Sequence, residues 1–86
     1  MITLRDIKNA EEKISLFILK TPQIYSSSLS SNSKNIYLKL ESMQITGSFK
    51  LRGATNKLLH LTEEQKSKGV IAVSTGNHGK GVAHAA

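Results

Sequence analysis

Apolar residues recur at intervals of three and four over the first part of the chain, which predicts an amphipathic helix over residues 3–18. Thr3, followed by Asp6 three positions later, is typical of an N-terminal helix cap. The dipeptide Thr21-Pro22 is predicted to end this region, because the residue before a proline disfavours helix. The serine-rich stretch at 26–33 is predicted to be a solvent-exposed loop, since such side chains compete for backbone hydrogen bonds.

Two later stretches have the patterns of β-strands. Residues 35–41 alternate apolar and polar side chains, which indicates a strand with one buried face. Residues 70–73, Val-Ile-Ala-Val, form a short and wholly apolar run, which is typical of a strand buried on both faces. The sequence therefore predicts strands at 35–41 and 70–73.

Helical spacing returns between and after these strands. It predicts a helix over residues 48–59, then a short helix that is capped by Thr62 with Gln65 and closed by Gly69. A last helix is predicted to begin near Asn77. Its inward residues are expected to be Val82, Ala83 and Ala86.

The order helix, strand, helix, strand, helix predicts an α/β unit with parallel strands and flanking helices. The loops that leave parallel strands lie at one edge of the sheet, so segments 42–49 and 74–77 should bring Lys50 and Asn77 together. With 86 residues the chain allows one small domain, 1–86. Two strands make a poor sheet alone, so the fold is predicted to be incomplete.

The composition, with 38% hydrophobic and 21% charged residues, is typical of a soluble globular protein. No apolar run approaches the length of a membrane helix, so no membrane partner and a cytoplasmic location are expected. The absence of cysteine excludes disulfides and thiolate zinc sites. The net charge of +6 would suit a basic module that binds nucleic acid, but the lysines are scattered, so no nucleic-acid partner is expected.

The segment Ser74-Thr75-Gly76-Asn77-His78-Gly79 stands between a predicted strand and a predicted helix, where free backbone N–H groups can bind an anion. A Walker-type nucleotide site is excluded, because Gly81 follows Lys80 where that motif needs serine or threonine. No metal site is predicted, since the three histidines lack the spacing of a zinc helix. Gly47-Ser48 also lacks the flanking pattern of a hydrolase nucleophile.

Lys50 follows a Gly-Ser-Phe turn at the predicted start of a helix. A lysine amine in its neutral form attacks aldehydes, which is the chemistry of a lysine that holds pyridoxal phosphate. From the physical pattern alone, a solvated lysine at a helix start is the favoured interpretation.

Two segments together resemble one enzyme family: Thr46-Gly47-Ser48-Phe49-Lys50-Leu51-Arg52-Gly53-Ala54 and Ser74-Thr75-Gly76-Asn77-His78-Gly79. They are similar to the pyridoxal-phosphate-dependent threonine/serine dehydratase and serine racemase family, of the tryptophan-synthase-β-like fold (fold type II). Thr21-Pro22 and Tyr37-Leu38-Lys39-Leu40-Glu41 also resemble that family, so the similarity spans essentially the whole chain.

The resemblance implies that residues 1–86 are an N-terminal fragment of a pyridoxal-phosphate-dependent catalytic domain. It gives Lys50 the role of Schiff-base lysine and catalytic base. Phe49 and Asn77 would contact the cofactor with it. The substrate-binding residues would be Ser74, Thr75, Gly76, Asn77 and His78. The family's phosphate-binding loop is expected beyond Ala86, so the fragment is expected to be weakly active or inactive alone.

The activity that the resemblance implies is conversion of a small 3-hydroxy amino acid into a 2-oxo acid and ammonia, in a parent enzyme that is a homo-oligomer. Position 75 is informative, because threonine dehydratases of this type commonly carry alanine there and racemases carry serine, whereas this chain has Thr75. The loop looks most similar to that of dehydratases of hydroxyectoine utilisation. A racemase of the same family and a non-catalytic truncated product are the alternatives.

Overall fold

The computed structural model describes all 86 residues and has four α-helices, one 3-10 turn and one small sheet. The elements are α1 (Leu4–Ile14), β1 (Gln23–Tyr25), β2 (Tyr37–Lys39), the 3-10 turn (Glu41–Met43), α2 (Lys50–Leu59), α3 (Glu63–Ser67) and α4 (Asn77–Ala85). This is a small α/β unit, as the element order predicted. None of the helices is long and apolar enough to cross a bilayer.

Both predicted helix caps are present. The Thr3 hydroxyl accepts the Asp6 N–H at 3.2 Å, and the Thr3 N–H donates to the Asp6 carboxylate at 2.8 Å, which lowers the pKa of that carboxyl. Thr62 and Gln65 make the same reciprocal pair at the start of α3. Helix α1 ends four residues earlier than predicted, at Ile14, and the chain continues as a turn.

The two strands are antiparallel, so the prediction of parallel strands is wrong for the pair that forms. Gln23 lies opposite Lys39, and Tyr25 lies opposite Tyr37, with the tyrosine rings in an edge-to-face contact at 5.5 Å. The connection, residues 26–36, is too short for the crossover that parallel neighbours need. Strand β1 has only three residues and no alternating pattern long enough to predict it.

Residues 70–73 form no strand, which corrects the second strand prediction. Ile71 and Val73 are 96% and 95% exposed, so the segment is also not buried. A strand needs a neighbour for its backbone groups, and neither β1 nor β2 pairs with this segment.

Packing of α4 against α2 is the main tertiary contact of the chain. Leu51 of α2 is completely buried, and Gly81 of α4 lies directly over it. A Cβ atom at Gly81 would lie 3.3 Å from the backbone nitrogen of Leu51, so a larger residue there would have to push α4 away from α2 by a few tenths of an ångström. Val82 is half-buried as predicted, whereas Ala83 and Ala86 are exposed, contrary to the prediction.

The chain is elongated and thinly packed. Its only buried hydrophobic residues are Ile14 at the end of α1, and Leu51 and Ala54 in α2. The radius of gyration is 15.8 Å, compared with about 12 Å for a compact domain of this length. Much apolar surface therefore remains in contact with solvent.

Candidate functional site

A half-buried ion pair lies beneath the segment that leads to Lys50. Arg52 donates from Nε and Nη2 to the two carboxylate oxygens of Glu41, at 3.0 and 2.8 Å. The hydroxyl of buried Thr21 donates to the same carboxylate, and the Lys39 amine donates to the Thr21 carbonyl at 2.6 Å. This network ties β2 and the 3-10 turn to the first turn of α2.

The carboxylate of Glu41 is stabilised in its charged form. The hydrogen bonds from Arg52, with smaller contributions from Thr21 and Gln44, lower the pKa of Glu41 to about 2, against a desolvation effect of the opposite sign. The pKa of Arg52 is raised by the same pair. The ion pair is therefore intact throughout the neutral range.

Gln44 makes a second brace, which no sequence motif predicts. Its side-chain oxygen accepts the Leu19 N–H and its amide donates to the Leu19 carbonyl, both at 2.8 Å. A single buried glutamine thus pairs with the backbone of residue 19 as a neighbouring strand would. The only sequence signal is a glutamine between two apolar residues, Met43 and Ile45, which is too common to interpret.

The chain then turns through Gly47, whose φ of +79° lies in the left-handed region that favours glycine. Buried Ser48 accepts the Lys50 N–H at 3.4 Å, and α2 begins at Lys50. The Lys50 side chain is exposed and makes no ion pair, and its amine lies 5.4 Å from the centre of the exposed Phe49 ring. A primary amine is thus accessible at a braced position.

The segment 74–79 is an exposed turn at the start of α4. The Ser74 hydroxyl accepts the Gly76 N–H at 3.1 Å. The backbone N–H groups of Asn77, His78 and Gly79 have no acceptor in the chain. Together with the helix dipole, these free N–H groups attract anions such as a carboxylate or a phosphate.

Helix packing brings the two segments to adjoining positions. Gly81 of α4 contacts the backbone of Lys50 and Leu51, and Asn77 lies one turn earlier on the same face of α4. The edge of a parallel sheet, from which this proximity was predicted, is absent. The packing of α4 on α2 brings the two segments together instead. No hydrogen bond joins Lys50 to residues 74–78, and neither of the two main clefts is lined by them.

No group of three histidine, aspartate or glutamate side chains could hold a metal ion. His60 instead bridges two helices: its Nδ1 lies 2.6 Å from the Asn56 carbonyl, and its Nε2 lies 3.1 Å from the Lys13 amine. The remaining histidines, His78 and His84, are exposed on α4.

These residues fit part of what pyridoxal phosphate requires. The free amine of Lys50 suits the aldehyde carbon, and the free N–H groups at the start of α4 suit an anionic group. The exposed ring of Phe49 lies beside the amine. The chemistry of the side chains and the predicted roles are therefore compatible.

Comparison with known proteins agrees with the family resemblance of the two motif segments. The family described as "Pyridoxal-phosphate dependent enzyme" matches residues 14–86. The catabolic L-threonine dehydratase TdcB of Staphylococcus aureus (strain N315) is 55% identical over 85 residues, which cover 96% of this chain and 25% of the relative. The chain thus spans about a quarter of the length of the curated relatives it matches.

Solved structures agree with the fold class. The serine racemase of Dictyostelium discoideum matches 98% of this chain, with a TM-score of 0.87 and 46% identity, over 28% of its own chain. A threonine deaminase from T.th. matches 98% of this chain, with a TM-score of 0.80 and 42% identity, over 30% of its own chain. The predicted fold type II class and the family resemblance are confirmed.

Proposed function

This chain belongs to the family of pyridoxal-phosphate-dependent enzymes, and on that basis we propose that it forms the lysine-bearing part of a dehydratase for small 3-hydroxy amino acids. The observation that carries the proposal is the accessible amine of Lys50 at the start of α2, a helix whose first turn packs against Gly81 of α4, the helix that begins with free N–H groups. The 55% identity to a catabolic threonine dehydratase supports the substrate class.

In this proposal Lys50 holds the cofactor, and once its amine is free it accepts the proton from the substrate α-carbon. When bound, pyridoxal phosphate supplies the electron sink that makes this carbon acidic. Ser74 and Thr75, with the free N–H groups that follow them, bind the substrate carboxylate, and His78 lines the same turn. Asn77 orients the cofactor, which fixes the bond to be broken.

The net reaction is balanced without an oxidant. The α-proton and the β-hydroxyl leave as water, the resulting enamine tautomerises to an imine by moving a proton from nitrogen to the β-carbon, and one water hydrolyses that imine to a 2-oxo acid and ammonia. Lys50 moves the proton, and the other residues position the substrate. The isolated chain is proposed to be inactive, since only the amine and one anion-attracting turn are in place.

Racemisation is a second candidate, supported by the match to the Dictyostelium serine racemase. It requires an acid or base on the opposite face of the α-carbon. Racemases of the family carry serine at position 75, so in this candidate the hydroxyl of Thr75 would take that role. Retention of amino-acid racemisation in an assembled enzyme, with its loss in Thr75→Ala, would favour this candidate over dehydration.

The first test asks whether Lys50 reacts selectively. The purified chain is mixed with pyridoxal phosphate, reduced with borohydride, and the modified lysines are located by peptide mass spectrometry. We expect most of the label on Lys50 and none at that position in Lys50→Ala. Lys57→Ala is the matched control, because Lys57 is an exposed lysine at the other end of α2. Equal labelling of Lys50 and Lys57 would contradict the proposed role.

A further inference from the structure

A lysine amine and a histidine ring nitrogen meet between α1 and α2, outside the two segments assigned to the cofactor and substrate. The amine of Lys13, in the last turn of α1, lies 3.1 Å from Nε2 of His60, which follows the last residue of α2. This is the only hydrogen bond of the Lys13 amine, and Lys13 makes no ion pair. The pair has no part in the proposed dehydratase chemistry.

The hydrogen-bond partners of the His60 ring fix which ring nitrogen carries the proton. The carbonyl oxygen of Asn56, 2.6 Å from Nδ1, can only accept, so Nδ1 is the protonated nitrogen. The Lys13 ammonium can only donate, so Nε2 presents its lone pair to it. Both contacts therefore select the same neutral tautomer, whose basic nitrogen faces the amine.

The end of α2 holds the ring in this orientation. In a regular α-helix the Asn56 carbonyl would accept the backbone N–H of residue 60. That N–H donates to the Lys57 carbonyl at 3.2 Å instead, and the ring N–H takes its place on the Asn56 carbonyl. One side of the imidazole is thus tied to the backbone of α2, and the other side is directed at α1.

Both groups are accessible from solvent, because they line an open cleft of about 520 Å³ between α1 and α2. Ala10 is the only apolar residue that lines this cleft. The carboxylates of Asp6 and Glu12 line it as well, and their negative charges disfavour an anionic reagent. The cleft is therefore suited to a small polar molecule whose reactive end is uncharged.

We propose that Lys13 is a site of acyl modification, that His60 is its base and that the acyl donor is a thioester, an uncharged electrophile that amines attack. Lys13 reacts in its unprotonated form, and its nitrogen bonds to the acyl carbon as the C–S bond breaks. The proton that the nitrogen then loses passes to Nε2 of His60 and from there to the departing thiolate, so the products are an amide and a thiol. A nucleophile beside a positioned base is the arrangement that activates an amine.

Acylation changes the charge at the end of α1. Lys13 is the basic residue of the last turn, where the helix dipole stabilises a cation. The amide that forms is uncharged. The modification therefore removes a stabilising charge next to Ile14, the buried residue of α1.

The test measures acylation, so its result does not depend on pyridoxal phosphate or on dehydratase activity. The purified chain is incubated with the acetyl thioester of N-acetylcysteamine, which carries no charge, and acetylated lysines are followed over time by peptide mass spectrometry. Lys8 is the matched control, because it is an exposed lysine of the same helix without an ion-pair partner. We expect Lys13 to be acetylated about tenfold faster than Lys8, which is less than the roughly hundredfold effect of a general base in an enclosed site.

The variant His60→Gln separates the base from the hydrogen bond, because a glutamine can accept from Lys13 but cannot take up its proton. In this variant Lys13 should react at the rate of Lys8. The circular dichroism spectrum should not change, since His60 is exposed. Two results would overturn the proposal: equal acetylation rates of Lys13 and Lys8 in the unmodified chain, or a Lys13 rate in His60→Gln that is as high as in the unmodified chain.

Discussion

The chain enters α2 and α4 in the same way. A serine shortly before each helix, Ser48 or Ser74, accepts the backbone N–H of the residue two positions later. The surroundings of the two serines differ. Ser48 is buried, and the network of Glu41 and Gln44 fixes the turn around it. Ser74 is exposed, and the four residues before it make no backbone hydrogen bond.

The difference shows which part of the candidate site is fixed by contacts within these 86 residues and which part is not. The position of Lys50 is set by contacts between residues that are all present, including an ion pair, a buried glutamine and the approach of Gly81. The anion-attracting turn is held only by α4 and by the Ser74 hydroxyl. We therefore expect substitutions around Ser48 to change the free energy of unfolding more than substitutions around Ser74.

The largest effect on stability is expected at Gly81, where α4 contacts α2. In Gly81→Leu the new side chain would press on the backbone of Lys50 and Leu51, which cannot rotate away. We expect the free energy of unfolding to fall by about 3 kcal/mol, because overpacking at a close backbone contact outweighs the higher helix propensity of leucine. Urea unfolding followed by circular dichroism measures the change.

Gly53→Ala is the matched control for this substitution. Gly53 lies in α2 and is exposed, and a Cβ atom added there would have nothing within 4 Å. Replacing it should raise the free energy of unfolding by about 0.5–1 kcal/mol, through helix propensity alone. Equal effects at Gly81 and Gly53 would mean that α4 does not pack on α2 in solution.

The features of the fold that could be predicted from the sequence are those with local signals. The Thr3 and Thr62 caps and the closure of α3 at Gly69 each depend on residues within a few positions, whereas α2 begins at Lys50, two residues later than predicted. The Glu41–Arg52 pair and the Gln44 brace could not be predicted, since they join residues far apart in sequence. Their partners are set by the path of the whole chain.

The strand prediction at 70–73 fails for a different physical reason. An apolar, β-branched run shows that a segment is suited to a buried sheet, but only hydrogen bonds to a neighbour make it a strand. No such neighbour lies beside it among the 86 residues. The sequence also predicts the proximity of Lys50 and the 74–79 turn, yet this proximity arises from a glycine contact between helices instead of a sheet edge.

The second effect in size is expected at Glu41. Glu41→Gln removes the negative charge that Arg52 and Thr21 bind. The Glu41 side chain is 16% exposed and the Arg52 side chain is 30% exposed. We expect a loss of about 2 kcal/mol in the free energy of unfolding, between the values typical of exposed and buried ion pairs. Thermal unfolding at pH 7 measures it.

The same carboxylate gives a pH dependence with a defined sign. The pKa of Glu41 falls from the ordinary value of 4.5 to about 2 in the folded chain. Its contribution is therefore complete above pH 4.5 and is lost as the pH falls toward 2. Glu41→Gln should flatten the stability profile in this range, while Glu63→Gln, at an exposed pair with Lys66, should leave it unchanged. A profile that keeps its slope in Glu41→Gln would contradict the assignment.

The smallest effect compares the two serines directly. Ser48→Ala removes a buried hydroxyl and leaves the Lys50 N–H without its acceptor, so we expect a loss of about 1 kcal/mol. Ser74→Ala removes an exposed hydroxyl whose donor can bond to water, so the change should stay within about 0.5 kcal/mol. Both values come from urea unfolding of otherwise identical chains. If Ser74→Ala cost as much as Ser48→Ala, the 74–79 turn would be braced in solution by contacts of its own, and the contrast between the two sides would not hold.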